Sequence, residues 1–398
     1  LFIDEIQGDR TGHTAMRVRV PMRRARFPED AYSTLSRRTA LRDIIARRFW
    51  ESARTHARSP IPKTDGGEVY MPRPGQEILP RGSVVVTEHY VEASFTADLP
   101  SKANKVDEEA MIDLIFGRIS LIVSESLLYS AYKEGKLYAH LEVAENADWI
   151  RAHLKESGLC AFVAEGSILP RREDDLAPMI DAVPFSCDES LMYEMHVPNG
   201  APIRGLGLPI GFTAVTGPSG SGKSVLVDAL FAGIYNHIPG DGREYVVSDP
   251  DAVYIMAEAG RYREGVRLSG PESEIAAIEE ALEAGSHLLI LDEEFSSPCV
   301  IRRAFPRSDN DMVPLSEMGP SLKDRDVSMV IVTGDESAVR RADLTIVLDG
   351  YSVRRLDLES EAGCAAAPSA YGRYPLCKGV SFEKGRKDVS TSAPSVRV

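Results

Sequence analysis

One octapeptide, GPSGSGKS at residues 217–224, constrains this chain more than any other stretch. Gly217, Gly222, Lys223 and Ser224 fill the fixed positions of G-x-x-x-x-G-K-[ST], with Pro218, Ser219, Gly220 and Ser221 between them and Val225 next. The glycines let the loop turn back and aim its N–H groups inward. The following residues, GKSVLVDALFAGIYN, read as a helix whose positive end faces the loop. A phosphate chain fits such a cradle: Lys223 reaches the outer phosphates and Ser224 can ligate Mg²⁺. The apolar run GFTAVTG before the loop reads as a strand, so the context is strand, loop, helix.

From about residue 196 the same alternation continues. AVYIMAE, HLLILDEE, MVIVTGD and LTIVLDG are short apolar runs, the pattern of parallel strands buried on both faces. The expected class is therefore α/β. Residues 1–195 mix half-exposed strands such as MRVRVPM with amphipathic helices, the clearest at 35–58, and read as an α+β domain. Residues 196–358 form the nucleotide-binding domain, and the Ala-, Pro- and Ser-rich 359–398 an extension.

Two further elements follow the phosphate loop. HLLILDEE carries Asp292 to a strand end, where its carboxylate can hold Mg²⁺, with Glu293 beside it to orient or polarise attacking water. Before it in the chain, VRLSGPESEIAAIEEALEAG carries a turn at Ser269 and Gly270 and continues as an amphipathic helix with Ile275, Ile278 and Leu282 on one face.

These pieces in this order resemble an ABC-type nucleotide-binding domain, in which a Ser-Gly helix start caps the γ-phosphate held by a second subunit. RPGQEILPR at 73–81, GLCAFVAEGSILPR at 158–171 and ALFAGIYNHIPGDGREYVV at 229–247 extend the resemblance. Together with IDEIQGDR and RVRVPM near the start, they match a family of ABC-class ATPases that carry a distinctive N-terminal domain and lack a transmembrane part. A mitochondrial RNA-binding factor of kinetoplastid RNA editing is a member. The resemblance implies an ABC-type P-loop NTPase domain, ATP, Mg²⁺ and a head-to-tail homodimer. It implies Lys223 and Glu293 as catalytic, Ser224 and Asp292 as metal ligands, and 217–225, Ser269, Gly270 and Asp292 as nucleotide contacts. It adds Glu258 as the residue linking the γ-phosphate to the rest of the domain, and sets Ser296 and Ser297 near the dimer interface. It further implies a mitochondrial location, the cytoplasm being the alternative, and a place in an RNA-processing complex.

Two departures bear on hydrolysis. Pro271 and Glu272 replace the usual Gly and Gln of the capping turn, and no His follows MVIVT, where Gly334 and Asp335 stand instead. The stretch between Arg261 and Ser269 is also shorter than the resemblance implies. An ATP-clasped binding module with negligible turnover and a P-loop kinase are the alternatives to an ATPase.

The net charge of −14 argues against uniform coating by nucleic acid, but one basic surface is compatible with it. Arg17, Arg19, Arg23, Arg24, Arg26, Arg37 and Arg38 concentrate basic charge near the N-terminus, and single-stranded RNA is the partner such a row would suit. The alternative is a solvated face paired with acids elsewhere. Five scattered cysteines without a C-x-x-C read as free thiols. No apolar run approaches the roughly 18 residues of a membrane span, so no membrane partner is expected.

Overall fold

The computed structural model describes residues 1–5, 13–57, 65–102, 105–263, 265–301 and 315–357. The extension expected at 359–398 lies outside them.

The N-terminal part is a five-stranded antiparallel sheet under helices. Its hub is Tyr90–Asp98, which pairs with His13–Pro21, Val69–Tyr70 and Val84–Val86, while Phe2–Glu5 adds to the far edge of His13–Pro21. The stretch SVVVTEHYVEASFTADLP thus folds into an antiparallel strand pair. The helix expected at 35–58 spans Leu35–Thr55, and the Thr34 side chain accepts from the Arg37 amide at its start. Leu41, Ile45 and Phe49 on its inner face are fully buried, and Phe49 packs on Phe95 with ring centroids 5.2 Å apart. Asp43 is also fully buried on this helix, held by Arg47 and Arg81 at 2.6 Å each.

The second part is built on a seven-stranded sheet. Five neighbouring strands, up to one edge, are parallel, in the order Leu344–Asp349, Phe212–Thr216, Ser328–Val332, Leu288–Asp292, Ala252–Ile255. Ser352–Arg355 adds antiparallel to Leu344–Asp349, and Ser186–Cys187 follows it. Leu288, Leu289, Ile290 and Leu291 are all fully buried, as strands covered on both faces require. The phosphate loop, Asp292, Thr333 and the segment reaching Glu258 all leave the carboxyl ends of neighbouring parallel strands. Open α/β sheets bind ligands at that edge.

A four-stranded antiparallel sheet covers one side, in the order Met192–Met195, Ile203–Pro209, Leu159–Ala164, Val246–Ser248. The boundary expected at 195 cuts through it, because Leu159–Ala164 pairs with Ile203–Pro209 and Val246–Ser248 on either side. The apolar clusters divide earlier: one gathers residues from Met16 to Ala144, and the next ones begin at Ala147 and Cys160. Residues from about 147 onward thus pack with the nucleotide-binding part. The long-range pairing of Leu159–Ala164 has no signature in its local sequence. Among the described residues, no helix is long and apolar enough to cross a membrane.

Candidate functional site

The loop at 217–224 adopts the shape its glycines permit. Gly217, Gly220 and Gly222 have φ of 142°, 75° and 98°, which side-chain-bearing residues rarely adopt. Space is also short, since a Cβ on Gly217 would lie 2.1 Å from the Leu348 carbonyl oxygen, and one on Gly222 2.6 Å from the Tyr351 ring. The helix Lys223–Ala232 starts directly behind the loop. Pro218 and Ser219 are exposed on the rim, Ser224 is half-buried, and Val225 packs its side chain into the core. The buried Ser221 hydroxyl has no partner.

Lys223 folds back into its own loop. Its Nζ donates to the Gly217 and Pro218 carbonyls at 3.0 and 2.6 Å. Burial lowers its pKa, while the charges of Asp292 and Glu294 oppose that shift. The ammonium is thus held at the loop's mouth, where an incoming phosphate would replace weak carbonyl acceptors with a full charge.

Asp292 ends its strand buried at 2% exposure. Its Oδ1 accepts from the Glu294 amide at 3.0 Å, whereas its buried Oδ2 has no hydrogen-bond partner among the described residues. An unpaired buried carboxylate oxygen is costly unless a cation or water meets it. The Tyr254 hydroxyl, on the neighbouring strand, is likewise buried and unpartnered. Burial, then the charges of Asp292, Asp228 and Glu294, pushes its pKa up. Asp292 and Ser224 offer hard oxygens of the kind Mg²⁺ takes. Sequence reasoning missed Tyr254, because its role depends on strand register, not on local pattern.

Glu293 points to the end of the adjacent strand. Its Oε2 accepts from the Thr333 hydroxyl at 2.9 Å and the Gly334 amide at 2.8 Å. Thr333 itself accepts from the Asp335 amide at 3.0 Å. The position without a His is therefore occupied by a hydroxyl and an amide that both grip the carboxylate.

The capping-turn residues stand apart. Ser269 begins the helix Gly270–Glu283, and its amide and hydroxyl donate to the Glu272 carboxylate at 2.7 and 2.8 Å. Glu272, noted as a departure, closes this helix start on itself. Among the described residues, no hydrogen bond or ion pair joins Ser269 or Gly270 to residues 217–224 of the same chain. The short stretch before it is a two-stranded hairpin, Tyr262–Arg263 with Val266–Arg267. Glu258 is exposed, one residue beyond Ala257, whose amide donates to the Phe295 carbonyl at 2.8 Å. Arg243 donates to the Leu169 carbonyl and Arg261 pairs with Glu280. His237 is buried against Asp241 at 2.8 Å, an interior pair and not a ligand in the loop.

Family comparison agrees with this geometry. The family model for the P-loop domain of ABC ATPases matches residues 133–270 and 267–374, and that for the N-terminal domain of ABC-class ATPases matches 1–130. The chain belongs to the ABC-class ATPases. In this ABC-class chain the two P-loop matches overlap at residues 267–270, where the hairpin ends and the Ser269 helix begins. An uncharacterized protein of Methanocaldococcus jannaschii is 30% identical over 112 residues, which is 26% of this chain and 25% of that protein. The chain thus matches about a quarter of that relative's length. A solved dimeric ATP-binding cassette, in a post-hydrolysis state with ADP and Pi, is 16% identical with a TM-score of 0.26, covering 42% of this chain and 96% of that one.

The seven arginines divide. Arg17 pairs with Asp4 and Glu92; Arg19 pairs with Glu92 at 2.8 Å and stacks 4.0 Å over the Tyr90 ring. Arg37 is spent on Glu145 and Asn199, and Arg38 on the Tyr32 carbonyl. Arg23, Arg24 and Arg26 are exposed and make no ion pair among the described residues. The paired-face alternative holds for Arg17, Arg19 and Arg37.

Proposed function

We propose that this protein binds Mg²⁺-ATP at residues 217–225 and hydrolyses it in a site completed by a second copy of the chain. The observation that carries the reading is the buried, unpartnered Asp292 Oδ2 beside the Lys223 ammonium and next to Glu293. When bound to Ser224 and Asp292, Mg²⁺ would neutralise charge on the outer phosphates. The loop amides and Lys223 hold those phosphates in line. Glu293 orients a water and takes its proton, its carboxylate positioned by Thr333 and Gly334. Among the described residues, no hydrogen bond or ion pair ties Ser269 or Gly270 to their own loop, which supports their capping the phosphate of the second copy. Titration of the purified full chain with ATP and Mg²⁺, read by affinity, phosphate release and sedimentation, tests this. Absence of binding together with absence of self-association overturns it.

A clasp with negligible turnover is the second reading, favoured by the double grip on Glu293. Phosphate release that stays at the level of Glu293→Gln would establish it.

For the partner, we extend the proposal to single-stranded RNA, on the exposed Arg23, Arg24 and Arg26 and on the family resemblance. RNA-filter binding across a salt series tests it; a flat response counts against it.

A further inference from the structure

Three elements of the site meet at one buried node. The Ala257 amide donates to the Phe295 carbonyl at 2.8 Å, tying the strand that leads to Glu258 to the loop after Asp292. The Ser297 amide donates to Glu274 Oε2 at 2.7 Å, tying that same loop to the helix that starts at Ser269. Gly270 closes the triangle: a Cβ there would stand 3.8 Å from both Ala257 Cβ and Ser297 Oγ.

Glu274 is a poor residue for this place on packing grounds. It is fully buried, next to Ile275 and one turn before Ile278, which enter the apolar core. A carboxyl here costs free energy unless its position does something a methyl could not. Among the described residues, its second oxygen, Oε1, is buried and has no hydrogen-bond partner, and neither has the Ser296 hydroxyl of the same loop. The bridge is thus half made.

We infer that Glu274 is a positioning residue, which makes the Ser269–Gly270 cap and the Ser296–Ser297 loop move as one body. This rests on the proposed two-copy site. The Ser296–Ser297 loop follows directly on Asp292 and Glu293 of one site, and the cap serves the other. Glu274 therefore connects the hydrolytic residues of one site with the cap of its neighbour. The second half of the bridge forms when Oε1 carries a proton to share with the Ser296 hydroxyl. Burial, opposed by the bond from the Ser297 amide, pushes the Glu274 pKa up to about 7. The groups facing it are Ser296 and Ser297. On its own helix, Glu272 is engaged with Ser269, Glu279 with Arg263 and Glu280 with Arg261; on the neighbouring strand end, Glu258 is exposed.

The test measures ATP turnover and KM for the full chain, Glu274→Gln and Glu274→Ala between pH 6 and 8.5, with thermal melting as the folding control. Glu274→Gln, which keeps the shape and always carries hydrogens, is expected to stay within about threefold of wild type at low pH and to lose the wild-type fall in kcat near pH 7. Glu274→Ala is expected to drop kcat about tenfold or more, with KM for ATP within about twofold. An unchanged pH profile in Glu274→Gln, or wild-type kcat in a folded Glu274→Ala, overturns the inference alone. Should Glu274→Ala not fold, the Glu274→Gln profile decides. A wild-type chain that binds no ATP overturns the two-copy reading and this inference with it.

Discussion

The Thr333 hydroxyl donates to the Glu293 carboxylate at 2.9 Å, across two adjacent parallel strands. This bond, with the Gly334 amide, fixes the carboxylate at the carboxyl edge of the sheet, beside the strand end that carries Asp292. It gives Glu293 an orientation without a histidine.

Removing the acid itself should stop turnover and leave binding. Glu293→Gln is expected to lower phosphate release roughly hundredfold or more while ATP affinity changes little. Thr333→Val removes the hydroxyl's grip and should lower kcat about tenfold with KM nearly constant. Single-turnover phosphate release and equilibrium ATP binding check both.

Gly222 should tolerate no side chain. Gly222→Ala places a Cβ on the Tyr351 ring in a backbone conformation that disfavours it, φ 98°. The expected cost is about 1–3 kcal/mol of stability, with loss of ATP binding. Urea unfolding and nucleotide titration measure the two effects.

Asp292→Asn should separate folding from metal binding. The variant removes a buried charge whose Oδ2 has no protein partner. Without Mg²⁺ the variant should melt at or above the wild-type temperature, and Mg²⁺-ATP should no longer raise its melting point as it does for wild type. Calorimetry with and without Mg²⁺-ATP decides.

Stability should fall as pH rises through the Glu274 transition. Its folded pKa, about 7, lies above the ordinary 4.5, so the folded state holds the proton longer than the unfolded chain. The contribution is therefore fully present below about 4.5 and lost by the time the pH has passed about 7. Its size is on the order of 3 kcal/mol. Denaturant unfolding at pH 5 and pH 8 should show this loss in wild type and not in Glu274→Gln.

The arginines should divide by variant. Arg23, Arg24 and Arg26 changed together to Ala should leave the melting temperature nearly unchanged. The salt slope of RNA binding should shrink by about one for each phosphate those side chains neutralise in the wild type. Arg37→Ala should instead destabilise, because it strands Glu145 and Asn199. Filter binding and thermal melting read the two outcomes.

The phosphate loop, the α/β class, the acidic strand and the capped helix were legible because each is written in contiguous residues. A loop of glycines between an apolar strand and a helix has few other uses, and four short apolar runs announce a covered parallel sheet. The arginines were ambiguous for the opposite reason. Arg17 meets Glu92 at 75 residues' separation and Arg37 meets Asn199 at 162, distances over which periodicity carries no information. The antiparallel sheet that spans residue 195 was silent for the same reason, since Leu159–Ala164 finds both its neighbours beyond that residue.

The order of residues alone determined that this chain folds a phosphate-binding loop at 217–224, since glycine's freedom of φ and the helix that follows are local properties. Tertiary structure decided what surrounds it: that Glu293 rests on Thr333, that Asp292 keeps one oxygen unpaired, and that Glu274 lies buried against Ser297. Those pairings join strands and helices far apart in the chain, and only close packing brings such groups within hydrogen-bonding reach.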